Sequence, residues 1–130
     1  MGWIDDLPDG CPPDDAQSPS GSVIRLVRNN PPAAEDFVSL ADERPGKEWE
    51  TAELDCQARG LSVFRDRTDA IGVTNRVPAL RGRLLAEADL TGAEGAIKQT
   101  GQNPRSSHHT WWVPSNSSPE ELFAVVESPQ

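Results

Sequence analysis

Apolar and polar residues alternate most clearly along residues 83–90 (RLLAEADL), where every second residue from Leu84 is apolar. This period of two predicts a strand with one buried face. A short apolar run, VIRLV at 23–27, predicts an earlier strand. Four more short runs are bounded by turn residues, and they predict strands at 61–65, 96–100, 109–113 and 122–126.

Apolar residues at three- and four-residue spacing predict three short helices. The first begins at Asn30-Pro31, where Asn30 suits the N-cap and Pro31 the first turn. The second spans about 47–59, and the third begins near Thr68 and ends before Pro78. Helices that precede a run of strands predict an α+β fold. We expect a curved, mostly antiparallel sheet of about six strands with three short helices.

Composition divides the 130 residues into two parts. Residues 1–22 hold five aspartates and four prolines but no lysine or arginine. Such a segment buries too little apolar surface to offset its ordering entropy, so we predict a disordered acidic arm. Residues 23–130 are long enough to form a single domain with its own core.

The net charge of −9 bears on the classes of partner that the chain can bind. It disfavours general electrostatic binding to nucleic acid or to an anionic membrane surface. No apolar run approaches the length of a membrane span, and the acidic N-terminus lacks a basic signal region, so we expect a cytoplasmic protein. Cys56 is predicted to be a small core residue, and Cys11 has no convincing partner.

The histidines and two of the tryptophans lie together near the end of the chain. His108 and His109 are adjacent, so on a strand they point to opposite faces and do not share one metal ion. We select His109 as a candidate general acid or base. Trp111 is a candidate stacking platform at a pocket. The alternatives are a surface histidine beside a core tryptophan, and two buried tryptophans.

Several short blocks lie between residues 23 and 127. They are DFVS at 36–39, GLSVF at 60–64, HHTWW at 108–112 and PEEL at 119–122. With these blocks the chain resembles a family of small uncharacterised bacterial proteins. The resemblance implies a shared fold and brings no activity with it.

A strand bearing Arg25, followed by helices and by a strand bearing Ser62, also resembles ADP-ribosyltransferase-like domains. The resemblance implies that Arg25 or Arg28 holds a pyrophosphate and that Ser62 orients the nicotinamide ribose of NAD. Those enzymes place a glutamate at the start of a late strand. Here the corresponding residues, 106–110, contain no carboxylate.

Two functional hypotheses therefore stay open. In the first, a nucleotide pocket of the NAD type contains Arg25, Arg28, Ser62, His109 and Trp111. NAD would be a substrate, and no bound cofactor or metal is expected. In the second, the chain is a non-catalytic interaction module, such as an antitoxin, an immunity protein or a defence accessory. Its acidic arm and helices would then bind a basic protein partner.

Overall fold

The computed structural model describes residues 2–101 and 106–127. Within these ranges six strands form one open sheet in the order β4-β5-β2-β1-β3-β6, and all neighbouring pairs are antiparallel. The strands are β1 (Ser20–Val27), β2 (Leu61–Phe64), β3 (Leu84–Thr91), β4 (Ala96–Gln99), β5 (His108–Trp112) and β6 (Ala124–Glu127). The predicted α+β class and the six-stranded antiparallel sheet are confirmed.

Four short α-helices accompany the sheet in the part of the chain that the structure describes: α1 (Leu40–Glu43), α2 (Ala52–Ala58), α3 (Arg67–Arg76) and α4 (Pro119–Leu122). The single helix predicted after Asn30 is instead a 3₁₀ turn at Ala34–Phe37 followed by α1. Val38 between them is extended, and Ser39 begins α1 by accepting a hydrogen bond from the amide of Asp42. A side-chain cap thus starts a new helix where apolar spacing predicted continuity.

Apolar clusters cover both faces of the sheet. One cluster gathers Val23, Val63 and Trp111 beneath Phe37 and Phe123. The other packs Ile24 and Phe64 against α3. Trp112 lies on this second face, and its indole nitrogen donates a hydrogen bond to the carbonyl of Cys56 in α2. Consequently, α2 and α3 lie on the same face of the sheet, each over a different part of it.

Residues 2–22, which the composition predicts to be a disordered arm, run along the domain in the structure. Trp3 bridges to Pro114, and Gln17 bridges to Ile97 beside the sheet edge. Ser20–Ser22 already belong to β1. Backbone hydrogen bonds at both bridges supply contacts that composition alone does not reveal.

A disulfide joins Cys11 to Cys56. The expectation that Cys11 has no partner is therefore wrong. Cys56 is buried, as predicted, but as one half of a covalent link between the N-terminal segment and α2. The two residues are 45 positions apart, and sequence spacing gives no sign of such a pair.

None of the helices in residues 2–101 and 106–127 has the length and hydrophobicity needed to span a lipid bilayer.

Candidate functional site

A groove of about 1140 Å³ opens between α2 and α3 and reaches the point where β1 and β2 separate. The two strands share a single register pair, Ile24 with Phe64. Beyond that pair the strands diverge, and side chains fill the space that a continued ladder would occupy. Six polar side chains from five parts of the chain line the groove: Arg25, Arg28, Ser62, Arg83, Thr100 and His108.

Arg25 holds the diverging strands together. Its Nε donates a hydrogen bond to the carbonyl of Asp36 at 3.0 Å, and its Nη1 donates one to the carbonyl of Ser62 at 2.8 Å. The guanidinium carbon lies 5.7 Å from the centre of the Phe37 ring, a cation–π distance. Burial lowers the pKa of Arg25 to about 10, so the side chain stays charged at neutral pH.

Ser62 and His108 form a hydrogen-bonded pair on the groove side of the sheet. The register of β2 and β5 pairs Ser62 with Thr110 and Phe64 with His108, so Ser62 and His108 are diagonal neighbours on one face. His108 Nε2 lies 3.0 Å from Ser62 Oγ. The imidazole also packs edge-on against the ring of Phe64, with centroids 5.3 Å apart. The ring is thus held by both a strand neighbour and a hydrogen bond.

The hydrogen-bonded chain continues away from Ser62. His108 Nδ1 lies 3.1 Å from Thr100 Oγ1, which in turn lies 2.7 Å from Thr110 Oγ1. Burial lowers the pKa of His108, and the neighbouring His109 lowers it further. The lowered pKa favours the neutral form of the imidazole. A neutral imidazole that donates from Nδ1 to Thr100 presents a lone pair on Nε2 to Ser62.

Arg28 and Arg83 bring two further cations to the groove. Burial and the charge of Arg28 lower the pKa of Arg83. Neither side chain forms an ion pair or a hydrogen bond with any residue in the described ranges. The two carboxylates of the groove, Glu43 and Asp69, leave its arginines in excess.

The carboxylate of Asp36 fixes the chain that carries Arg28. It accepts hydrogen bonds from the amide of Arg28 at 2.8 Å, from the amide of Ala33 at 2.9 Å and from the side chain of Asn29 at 3.0 Å. Burial opposes ionisation of Asp36, but these hydrogen bonds outweigh it and lower its pKa. These hydrogen bonds to the Asp36 carboxylate hold the chain after β1 at the mouth of the groove.

Apolar side chains line the rest of the groove. Trp49 and Leu54 lie at one wall, and Val73 and Leu80 lie at the other. Lys47 stands 4.5 Å from the centre of the Trp49 ring. The arrangement combines an arginine-rich base with apolar walls, which is the usual composition of a ligand pocket.

The structure brings together three of the five predicted site residues. Arg25, Arg28 and Ser62 line the groove. His109 and Trp111 instead point to the opposite face of β5, because side chains alternate along a strand. His109 Nδ1 lies 2.7 Å from the carbonyl of Ser107, and the hollow beside Trp111 has a volume of only about 10 Å³.

His108, which the prediction passed over in favour of His109, is the histidine of the groove. Trp111 is fully buried, and its indole nitrogen donates a hydrogen bond to the carbonyl of Glu94. It is a core residue of the first cluster and offers no stacking surface. Among the described residues, no group of three or more histidines, cysteines or carboxylates is placed to hold a metal ion.

Comparisons with protein-family models, with curated proteins and with solved structures gave no match to this chain. The resemblance to ADP-ribosyltransferase-like domains therefore stays a prediction, and the function is argued from the geometry of the groove.

Proposed function

We propose that the groove binds a phosphorylated ligand of the nucleotide type, with NAD as the first candidate. The observation that supports this most is the pair Arg28 and Arg83, which lie near each other and whose side chains make no ion pair or hydrogen bond within the described residues. The carboxylates of Glu43 and Asp36 act on Arg83 only at longer range. Like charges held close together favour the binding of an anion between them. Guanidinium groups suit phosphate in particular, because their planar N–H groups donate in pairs to its oxygens.

The apolar walls support an organic ligand over an inorganic ion. A free phosphate would fill a small part of about 1140 Å³, whereas a nucleotide also brings a ring to stack on Trp49. Arg25 lies deeper and is already bonded to two carbonyls. In this proposal Arg28 and Arg83 hold the phosphates, and Arg25 shapes the floor of the groove.

Calorimetric titration with NAD, ADP-ribose and inorganic phosphate tests this proposal. We expect NAD or ADP-ribose to bind and phosphate to bind more weakly. Arg28→Ala and Arg83→Ala should each weaken binding about tenfold or more, as expected for loss of a charge-assisted contact. Arg81→Ala is the matched control, since Arg81 is exposed and lies outside the groove. Absence of heat with all three ligands at millimolar concentration would exclude this function.

The second candidate is a protein-binding module that recognises a basic partner. Asp9 and Asp14 in the N-terminal segment are exposed, and neither forms an ion pair within the described ranges. Together with the net charge of −9, they would steer a basic protein toward this side. A charge-reversal variant, D9K/D14K, should slow association with such a partner at low salt. An unchanged association rate would remove these residues from the interface.

A further inference from the structure

We propose that Ser62 is a nucleophile that takes the acyl group from a carboxylic ester, with His108 as its general base. The substrate in this proposal is an ester of a phosphorylated compound. Its phosphate rests on the proposed function, whereas the acyl transfer is argued from the geometry around Ser62 and His108.

The pair has the geometry that an activated serine requires. Ser62 is exposed at the groove, and its Oγ lies 3.0 Å from His108 Nε2. A serine hydroxyl is a weak nucleophile until a base within hydrogen-bond distance accepts its proton. A neutral imidazole is such a base.

Thr100 is the positioning residue for this base. Its Oγ1 lies 3.1 Å from His108 Nδ1 and 2.7 Å from Thr110 Oγ1. When Nδ1 donates to Thr100, that hydroxyl donates to Thr110, and Nε2 is left to accept from Ser62. One direction of donation thus runs through all four groups. A third group that orients the base is the general form of a catalytic triad.

Arg25 fixes the backbone that carries the nucleophile. Its Nη1 donates a hydrogen bond to the carbonyl of Ser62 at 2.8 Å. The guanidinium packs on Phe37 of the first cluster, whereas the Ser62 side chain shares the other face of the sheet with Phe64. Arg25 is therefore a positioning residue in this proposal.

The reaction balances without a further reagent except water. Ser62 Oγ bonds to the ester carbonyl carbon while its proton moves to His108 Nε2. The intermediate then expels the alcohol, which takes that proton from His108, and an acyl-serine remains. Water attacks the acyl carbon while His108 accepts a proton from it. Ser62 leaves and regains that proton, so the products are a carboxylic acid and an alcohol.

Labelling with a small uncharged alkyl fluorophosphonate tests the nucleophile directly. The reagent forms an Oγ–phosphorus bond and releases fluoride, and the adduct is located by peptide mass spectrometry. We expect one adduct, at Ser62, and none in Ser62→Ala. His108→Gln should slow labelling about 100-fold or more, the range expected for loss of a general base. His109→Gln is the matched control, because His109 faces the other side of β5, and it should label as the wild type does.

Thr100→Val and Thr100→Ser separate positioning from packing. Thr100→Val should slow labelling and move its pH dependence, whereas Thr100→Ser, which keeps the hydroxyl, should restore both. The proposal is overturned if the wild type labels no faster than Ser62→Ala, or if His108→Gln labels at the wild-type rate while circular dichroism shows it folded.

Two separate measurements distinguish this proposal from the nucleotide site. The fluorophosphonate carries no charge, so the labelling of Ser62 reports on the nucleophile, whereas calorimetry with NAD and ADP-ribose reports on nucleotide binding. Labelling without nucleotide binding would support the nucleophile and reject the proposed ligand. Nucleotide binding without labelling would reject the nucleophile and keep the ligand.

Discussion

The guanidinium of Arg25 donates a hydrogen bond to the carbonyl oxygen of Ser62 at 2.8 Å, across the gap where β1 leaves β2. A side chain thus satisfies a backbone acceptor that a continued ladder would have paired. The same contact brings a cation to the residue that carries the hydroxyl of the candidate site.

Replacing Arg25 with methionine should destabilise the domain by about 3 kcal/mol or more. Methionine keeps an apolar stem against Phe37. It removes both hydrogen bonds to backbone carbonyls, and hydrogen bonds to charged groups contribute about 1.5–3 kcal/mol. Urea unfolding measures the change, with Arg81→Met as the exposed control. Equal unfolding midpoints for Arg25→Met and the control would contradict this role.

Asp36→Asn should lower the free energy of unfolding by about 2 kcal/mol at neutral pH. The amide NH₂ would face one of the N–H groups whose hydrogen bonds the carboxylate now accepts. The pKa of Asp36 is lowered below its ordinary 3.8. The unfolded chain therefore takes up a proton first as the pH falls, and the stabilisation is lost from 3.8 downward.

Thermal unfolding at pH 7 and at pH 3 tests this sign. The gap in Tm between wild type and Asp36→Asn should narrow at the lower pH. Glu35→Gln is the control, since Glu35 binds the same Asn29 but is exposed. A difference in Tm that widens at pH 3 would contradict the lowered pKa of Asp36.

Asp5→Asn should have the opposite pH dependence. Burial, with Asp42 close by, raises the pKa of Asp5 from 3.8 to about 6. The folded state then holds its proton more tightly than the unfolded state, so wild-type stability falls between pH 3.8 and about 6. Asparagine removes that loss.

We expect Asp5→Asn to be more stable than wild type at pH 7, by less than about 1 kcal/mol because solvent screens the half-buried carboxyl. The two should unfold alike below pH 4. The exposed Asp9→Asn serves as the control. A destabilised Asp5→Asn at pH 7 would show that the carboxylate form is the one the fold prefers.

Removing the disulfide with C11S/C56A should destabilise the protein by about 4 kcal/mol, the chain-entropy value for a closed loop of this length. Urea unfolding with and without dithiothreitol measures this. The reductant should lower the wild-type midpoint and leave the variant unchanged.

Disulfides persist in oxidising compartments, so thiol titration of the protein as isolated from its cells tests the expected cytoplasmic location. Two free thiols would agree with that location, and none would oppose it.

The strands could be predicted because local patterns determine them. The alternation from Leu84 to Leu90 and the short apolar runs between turn residues require no knowledge of partners. Helix limits were harder, because side-chain caps decide them. Thr51 accepts a hydrogen bond from the amide of Leu54, so α2 begins later than the predicted position near 47.

The candidate site was predictable only in part, because its composition depends on register. The sequence shows that His108 and His109 face opposite ways, but the pairing of Ser62 with Thr110 decides which of them shares the face of Ser62. Arg83 lies directly before β3, and Thr100 lies directly after β4. No local pattern brings these residues to Ser62, since contacts between distant segments form only in the folded sheet.

The covalent link between Cys11 and Cys56 encloses a ring of chain that contains β1, Arg25 and Arg28. Ser62, Thr100 and His108 all lie outside that ring. The ring therefore contains two of the groove arginines, whereas Arg83 and the hydroxyl–imidazole pair lie on chain outside it. Opening the ring would release the N-terminal segment from α2, whereas β1 would keep its ladder with β3 and β2 its ladder with β5.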